Sequence, residues 1–143
     1  MSNHRLTLTP AVDAEIRRHG EETYPHECCG FLLGAPGEVR EIARASNARE
    51  DSPKNRYLIP PIEFVRIQRD ADARGIDVIG FYHSHPDHPA RPSAFDRENA
   101  WPGYAYLIAA VDGGLPGELR GFRFDTPDEP FAEIELDLAA EEV

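Results

Sequence analysis

GFYHSHP, at residues 80–86, ends a short apolar run that follows the helix-stopping Gly75. Such a run predicts a buried β-strand over residues 77–82, with two histidines at its end. Because side chains alternate along an extended chain, His83 and His85 point to the same face, with Cα atoms roughly 6.8 Å apart. Both imidazoles can therefore reach one cation, and the stretch predicts part of a metal site at the end of a buried strand.

A third ligand is available in the motif SAFD, which ends at Asp96. Ser93 has the position of an N-cap for a short helix over residues 94–100, which places Asp96 in the first turn. Zinc takes His nitrogen and carboxylate oxygen at roughly 2.0–2.2 Å, so His83, His85 and Asp96 form a suitable ligand set. Each feature alone has an ordinary explanation, a capping box for the helix and surface or core positions for the histidines. The three residues together favour a metal site.

The order His-Ser-His, seven residues, Ser, two residues, Asp resembles the motif of the JAMM/MPN+ zinc metallopeptidases in residue type and in spacing. That motif also has an upstream glutamate, which corresponds to Glu27 in YPHECCGFLLG at residues 24–34. The resemblance extends over about residues 6–137, and the short chain is similar to the small bacterial members of the family.

The resemblance implies a role for each residue of the site. Zinc held by His83, His85 and Asp96 would keep one position for water and lower the pKa of that water toward neutrality. Glu27 would act as the general base and acid, taking a proton from the water and delivering it to the leaving amine. Ser93 would donate a hydrogen bond to the oxyanion of the tetrahedral intermediate, an interaction worth about 10²–10³ in rate.

The chain as a whole predicts a single domain over residues 1–143, of the α+β class, with one mixed β-sheet flanked by helices. Thr9 and Pro10 fit the N-cap and first position of a helix that runs to about Thr23, and a second helix is predicted over residues 60–75. The resemblance implies the same fold, similar to that of the cytidine deaminases. Further strands are predicted at residues 28–34, 38–45, 56–59, 104–111, 118–124 and 131–138, with a loop at 46–55 as the best candidate for a mobile segment near the site.

Composition excludes several classes of protein. The net charge of −11 leaves no basic footprint for nucleic acid, and the longest apolar run, residues 104–111, is far short of the roughly 20 residues that span a bilayer. The first residues lack the apolar region of a signal peptide, so we expect a cytoplasmic protein. The adjacent Cys28 and Cys29 would point to opposite faces of a strand and form no disulfide. Outside the motif, His19 is expected to face solvent and Trp101 to lie in the core.

The resemblance also implies a substrate class. Small bacterial members of the family act on ubiquitin-like sulfur-carrier proteins and release an amino acid or peptide after the C-terminal Gly-Gly of the carrier. Three rival interpretations are a metal-free MPN scaffold or binding domain, a zinc hydrolase or deaminase acting on a small molecule, and a DNA-repair-associated relative of the family. The His-x-Glu and Pro-Cys-x-x-Cys ligands of the nucleobase deaminases are absent from the sequence. A DNA-repair-associated relative is disfavoured by the acidic charge. The oligomeric state, the particular carrier and the leaving residue stay open at this level.

Overall fold

The computed structural model describes residues 5–47 and 58–139. Within these ranges the chain forms three helices and seven strands. In order they are β1 (Arg5–Leu8), α1 (Pro10–Thr23), β2 (Cys29–Ala35), β3 (Glu38–Ala45), α2 (Pro61–Arg74), β4 (Asp77–Pro86), α3 (Ala94–Glu98), β5 (Ala105–Asp112), β6 (Leu115–Arg123) and β7 (Ala132–Leu138).

The seven strands form one mixed sheet that closes on itself. Their order is β1-β3-β2-β4-β5-β6-β7, and β1 also pairs in parallel with β7. The expected mixed sheet with helices is confirmed, but the sheet is a closed barrel and not an open layer. The difference comes from β1, which the sequence analysis did not predict. Its Leu6 and Leu8 are buried, and the strand pairs with both β3 and β7, which lie far from it in sequence.

The first two helices begin and end within one residue of where the sequence predicts. Thr9 caps α1 by accepting a hydrogen bond from the Val12 amide, 3.1 Å away, and Pro10 is the first helical residue. Gly75 ends α2 in the left-handed conformation, with φ of 71°, which a residue without a Cβ adopts at no steric cost. None of the helices in the described ranges is long and apolar enough to cross a membrane.

The two faces of β2 and β4 belong to two different cores. Leu32 and Tyr82 pack with Val12 of α1, whereas Phe31 and Phe81 pack in a second cluster with residues of α2. Because side chains alternate along a strand, the histidines that follow Phe81 by two and four residues lie on the α2 side. The fold therefore presents the predicted ligands to the space between β4, α2 and α3.

Strand β4 is longer than predicted. It continues through both histidines to Pro86, because β5 pairs with it in parallel up to Val111. Gly80 permits this pairing, since a Cβ there would collide with the carbonyl oxygen of Ala105. The helix predicted over residues 94–100 ends at Glu98. Of the predicted loop and strand at 46–59, residues 48–57 lie outside the described residues, and the two last positions, 58 and 59, are not in a strand.

His19 corrects a prediction, because it is buried and not solvent-facing, with 6% of its surface exposed. Its Nδ1 lies 2.7 Å from the hydroxyl of Tyr82, and the two rings meet edge to face. Burial, reinforced by the charge of Arg44, lowers the pKa of His19 from 6.5 to about 4. The imidazole is therefore neutral at physiological pH.

Candidate metal centre

The two histidines and the aspartate of the motif converge in the structure. Nε2 of His83 lies 3.1 Å from Nε2 of His85, and Oδ2 of Asp96 lies 3.2 Å and 3.1 Å from these two nitrogens. All three side chains are buried, with at most 8% of their surface exposed. Within the part of the chain that the structure describes, these residues form the group that could hold a metal ion.

The spacing of this triangle fits a tetrahedral cation. Bonds of roughly 2.0–2.1 Å at tetrahedral angles place neighbouring donor atoms about 3.3 Å apart, close to the distances observed here. Nitrogen and carboxylate oxygen are also the donors that such an ion prefers. We conclude that the three residues fit a metal ion that has one remaining position for water or substrate.

The orientation of His85 shows which of its two ring nitrogens is available to bind a metal ion. Its Nδ1 lies 2.9 Å from the carbonyl oxygen of Pro89, and a carbonyl can only accept a hydrogen bond. The ring proton is therefore assigned to Nδ1, which leaves the lone pair of Nε2 directed at the other two ligands. Burial also lowers the pKa of His83, although the neighbouring carboxylate opposes this effect, so that ring favours the neutral form that binds metals.

Asp96 has two functions at the start of α3. Its amide donates to Ser93 Oγ at 3.0 Å, and its Oδ2 accepts from the Ser93 amide at 2.9 Å, which completes the predicted capping box. The same oxygen faces the two histidines. Burial alone would raise the pKa of Asp96, but His83 and the hydrogen bonds outweigh burial and hold the pKa well below its usual range. The capping interaction thus orients a carboxylate whose ionised form is favoured by its surroundings.

Glu27 lies beside this triangle, at the entrance to β2. Cys29 pairs with His83 in the β2–β4 ladder, and the Ser84 amide donates to the Cys28 carbonyl, so Glu27 directly precedes the part of the chain that pairs with the ligand-bearing end of β4. Glu27 is only 5% exposed, and its Oε1 accepts no hydrogen bond from any residue that the structure describes. Burial, with a contribution from the charge of Asp96, raises the pKa of Glu27 to about 9. A buried carboxyl oxygen that receives no hydrogen bond from the described residues suits a group whose partner is a cation or a water molecule.

The two serines of the motif face different environments. Ser93 is exposed at the start of α3, where its Oγ accepts from the Asp96 amide and its hydroxyl proton is able to reach a substrate. Ser84 is fully buried, and its Oγ accepts a hydrogen bond from the Cys28 amide at 2.8 Å. Cys28 and Cys29 are both buried free thiols, in agreement with the sequence analysis.

An apolar groove adjoins the metal centre. It encloses about 430 Å³, and Asp96 is one of its lining residues. Trp101 forms part of the rim, with 53% of its surface exposed and its ring centroid 5.2 Å from that of Phe64, so the expectation that it lies in the core is wrong. We use the term apolar groove for the surface lined by Ile59, Phe64, Val65, Phe81, Trp101 and Tyr106.

Comparisons with known proteins agree with this geometry. Residues 9–125 match the family described as prokaryotic homologs of the JAB domain. A desampylase from Haloferax volcanii is 40% identical over 123 residues, which cover 80% of this chain and 87% of the relative. A probable TtuB-protein conjugate cleaving protease from Thermus thermophilus is 31% identical over 99 residues, covering 69% and 66% of the two chains.

Solved structures show the same fold. A protein from Desulfitobacterium hafniense superposes with a TM-score of 0.82 at 30% identity, covering 95% of this chain and 94% of the other. A JAB1/MPN domain protein from Archaeoglobus fulgidus, at 16% identity, gives a TM-score of 0.57 over 92% and 95% of the two chains. The motif, the fold and the family match agree, and the chain belongs to the prokaryotic JAB-domain family, the small prokaryotic JAMM type.

Proposed function

We propose that this protein is a single-domain, cytoplasmic zinc isopeptidase that hydrolyses the bond after the C-terminal Gly-Gly of a ubiquitin-like protein of the sulfur-carrier type. The observation that carries the proposal is the triangle of His83, His85 and Asp96, with the buried Glu27 just before the segment that pairs with the ligand-bearing end of β4. The relatives named as a desampylase and as a conjugate cleaving protease favour a protein conjugate as the substrate over a small molecule.

Each residue of the site has a separate task in this reaction. His83, His85 and Asp96 would hold the zinc, which supplies an activated water and polarises the scissile carbonyl. A cation held by these ligands would favour the ionised form of the buried Glu27, whose carboxylate then accepts a proton from the attacking water and passes it to the departing amine. Ser93 donates a hydrogen bond from its hydroxyl to the oxyanion while its oxygen continues to cap α3.

The groove suggests how a carrier tail is held. A Gly-Gly segment has no side chains, so its backbone can approach a buried centre closely. The residues before it can place apolar side chains in the apolar groove, where Phe64 and Trp101 offer aromatic surface. Specificity for a ubiquitin-like tail then combines a narrow approach at the metal with an apolar contact beside it.

The experiment is mass spectrometry of a ubiquitin-like carrier that ends in Gly-Gly-Xaa, and of the same carrier linked to a lysine, incubated with zinc-loaded protein. Glu27→Gln with verified zinc content is the matched inactive variant, and wild type stripped with a chelator tests the need for metal. We expect cleavage after Gly-Gly by the zinc-loaded wild type alone. Equal cleavage by Glu27→Gln would exclude Glu27 as the general base.

A metal-free scaffold or binding domain predicts a different outcome. Zinc content near zero after gentle purification, with no recovery of activity on adding zinc, would contradict the proposed enzyme and favour that alternative. The scaffold alternative is disfavoured because all three ligand positions are filled, and a metal-free scaffold does not require three buried donor atoms that face one another.

A further inference from the structure

Glu27 lies between two residues that are hydrogen-bonded to the strand end carrying the metal ligands. Three positions before it, the hydroxyl of Tyr24 donates to Oδ2 of Asp87 at 2.7 Å. One position after it, the amide of Cys28 donates to Oγ of Ser84 at 2.8 Å. In the sequence, Ser84 directly precedes His85 and Asp87 follows it by two positions. We call the four residues Tyr24, Cys28, Ser84 and Asp87 the brace.

The inner half of the brace is fully buried. Besides receiving the Cys28 amide, Ser84 donates its own amide to the Cys28 carbonyl at 3.1 Å, which extends the β2–β4 pairing beyond the registered pair of Cys29 and His83. The Ser84 side chain faces α1, where a Cβ added to Gly20 would be 3.5 Å from its Cβ. Ser84 therefore serves neither as a ligand nor as an oxyanion donor, and its hydroxyl is used to fix the chain beside Glu27.

The outer half depends on an unusual backbone conformation. Asp87 has φ of 58° and is the one residue other than glycine with a positive φ in the described ranges. Its amide donates to the Val111 carbonyl at 2.8 Å, and its Oδ1 accepts from the Gly113 amide at 2.7 Å. Residues in this region are held there by their surroundings and concentrate at functional sites. Asp87 thus joins Tyr24 to the turn after β5 as well as to β4.

We propose that the brace positions Glu27 against the metal centre, so that Tyr24, Ser84 and Asp87 are positioning residues for the proton transfer. The proposal rests on the proposed function. Its physical reason is that the Glu27 carboxyl has an oxygen without a hydrogen bond to any described residue, so its location follows from its backbone. Reaction rates depend steeply on such placement, and an error of about 1 Å can cost about 100-fold.

The first test measures how kcat changes when single side-chain groups of the brace are removed. We expect Tyr24→Phe, which removes one exposed hydroxyl, to lower kcat about three- to tenfold while KM and zinc affinity stay unchanged. Asp87→Asn tolerates the positive φ but keeps a single acceptor oxygen, so we expect a similar or larger loss. For the buried half, Ser84→Thr keeps the hydroxyl and should retain more activity than Ser84→Ala. Glu133→Gln, which breaks an exposed pair with Arg120 between β6 and β7, is the control without effect.

A double-mutant cycle separates positioning from general destabilisation. If Tyr24 acts through Glu27, Tyr24→Phe causes no further loss of kcat in the Glu27→Gln background. The same proportional loss in both backgrounds, or a loss that appears in KM or in zinc affinity, would overturn the proposal.

Amide hydrogen exchange in the zinc-loaded protein gives a readout that needs no substrate. We expect Tyr24→Phe to speed exchange of the Cys28 amide several-fold, with exchange at residues 83–85 and the melting temperature unchanged. Unchanged exchange at Cys28 would overturn the brace even in an active enzyme. A wild type that cleaves no carrier would instead contradict the proposed function and leave the exchange result to decide about the brace.

Discussion

At the scale of single residues, the position of Glu27 makes the sharpest prediction about catalysis. Glu27→Gln keeps the size of the side chain but cannot accept a proton, so we expect kcat to fall by about 10²–10⁴ with zinc content unchanged. Steady-state kinetics on a carrier conjugate, with metal analysis of the same samples, measure both quantities. Glu38→Gln, an exposed change on β3, serves as the control.

Asp96 and Ser93 are hydrogen-bonded to each other, yet we expect their substitutions to lower different quantities, which are zinc affinity for Asp96 and kcat for Ser93. Asp96→Asn removes the charge that faces two histidines, so we expect zinc affinity to fall by more than about 100-fold in chelator competition. Ser93→Ala keeps the backbone amide that orients Asp96, so zinc should stay bound. We expect that variant to lose about 1 kcal/mol of stability from the missing cap and about 10²–10³ in kcat. Equal zinc affinities of the two variants would contradict these assignments.

At the scale of elements, the exposed residues of the apolar groove lie on α2 and in the segment after α3, and we expect them to contribute to carrier recognition. Val65, 45% exposed on α2, can be changed to Asp without disturbing a buried contact. We expect Val65→Asp and Trp101→Ala each to raise KM for a whole carrier several-fold, because the tail loses apolar surface. The kcat should change little.

Two comparisons control this prediction. Leu115→Asp changes an apolar residue of β6 that is 70% exposed and does not line the groove, so its KM should match that of the wild type. A dipeptide-length substrate that cannot reach the groove should be cleaved equally by all the variants. A KM effect that persists on the short substrate would argue against tail binding in the groove.

The same elements show what could be predicted from the sequence. The ligands on β4 and α3 were predicted together because their spacing and the capping serine are local features, and the structure brings them within 3.2 Å. Closure of the barrel could not be predicted, because β1 has only four residues and its pairing partners are distant in the chain. The groove was missed for a similar reason, since Trp101 is exposed by packing between elements and not by any local pattern.

At the scale of the whole molecule, His19 links stability to pH. Its pKa is about 4 in the folded protein and 6.5 in the unfolded chain, so the unfolded chain binds more protons between these values. The contribution of the neutral His19 to the free energy of unfolding is fully present above pH 6.5 and is lost as the pH falls toward 4. Allowing for solvent screening, we expect a loss of about 1–2 kcal/mol.

Denaturant titrations at a series of pH values measure this effect. His19→Leu removes the titrating group, so we expect a shallower fall in stability between pH 6.5 and 4 than in the wild type, whatever its absolute stability. Leu115→Ala changes an exposed residue that does not titrate, so it is the control whose slope should match that of the wild type. Parallel slopes for the wild type and His19→Leu would show that carboxylates alone account for the acid sensitivity.

The exposed indole at the groove also has an optical consequence. Trp101 is the one tryptophan in the sequence, so all indole emission from the protein originates beside the proposed tail site. A tail that covers this ring would remove water from it and shift the emission toward shorter wavelengths, without any attached dye. In the Glu27→Gln variant, which should bind a carrier without turning it over, the same signal becomes a direct titration of carrier affinity.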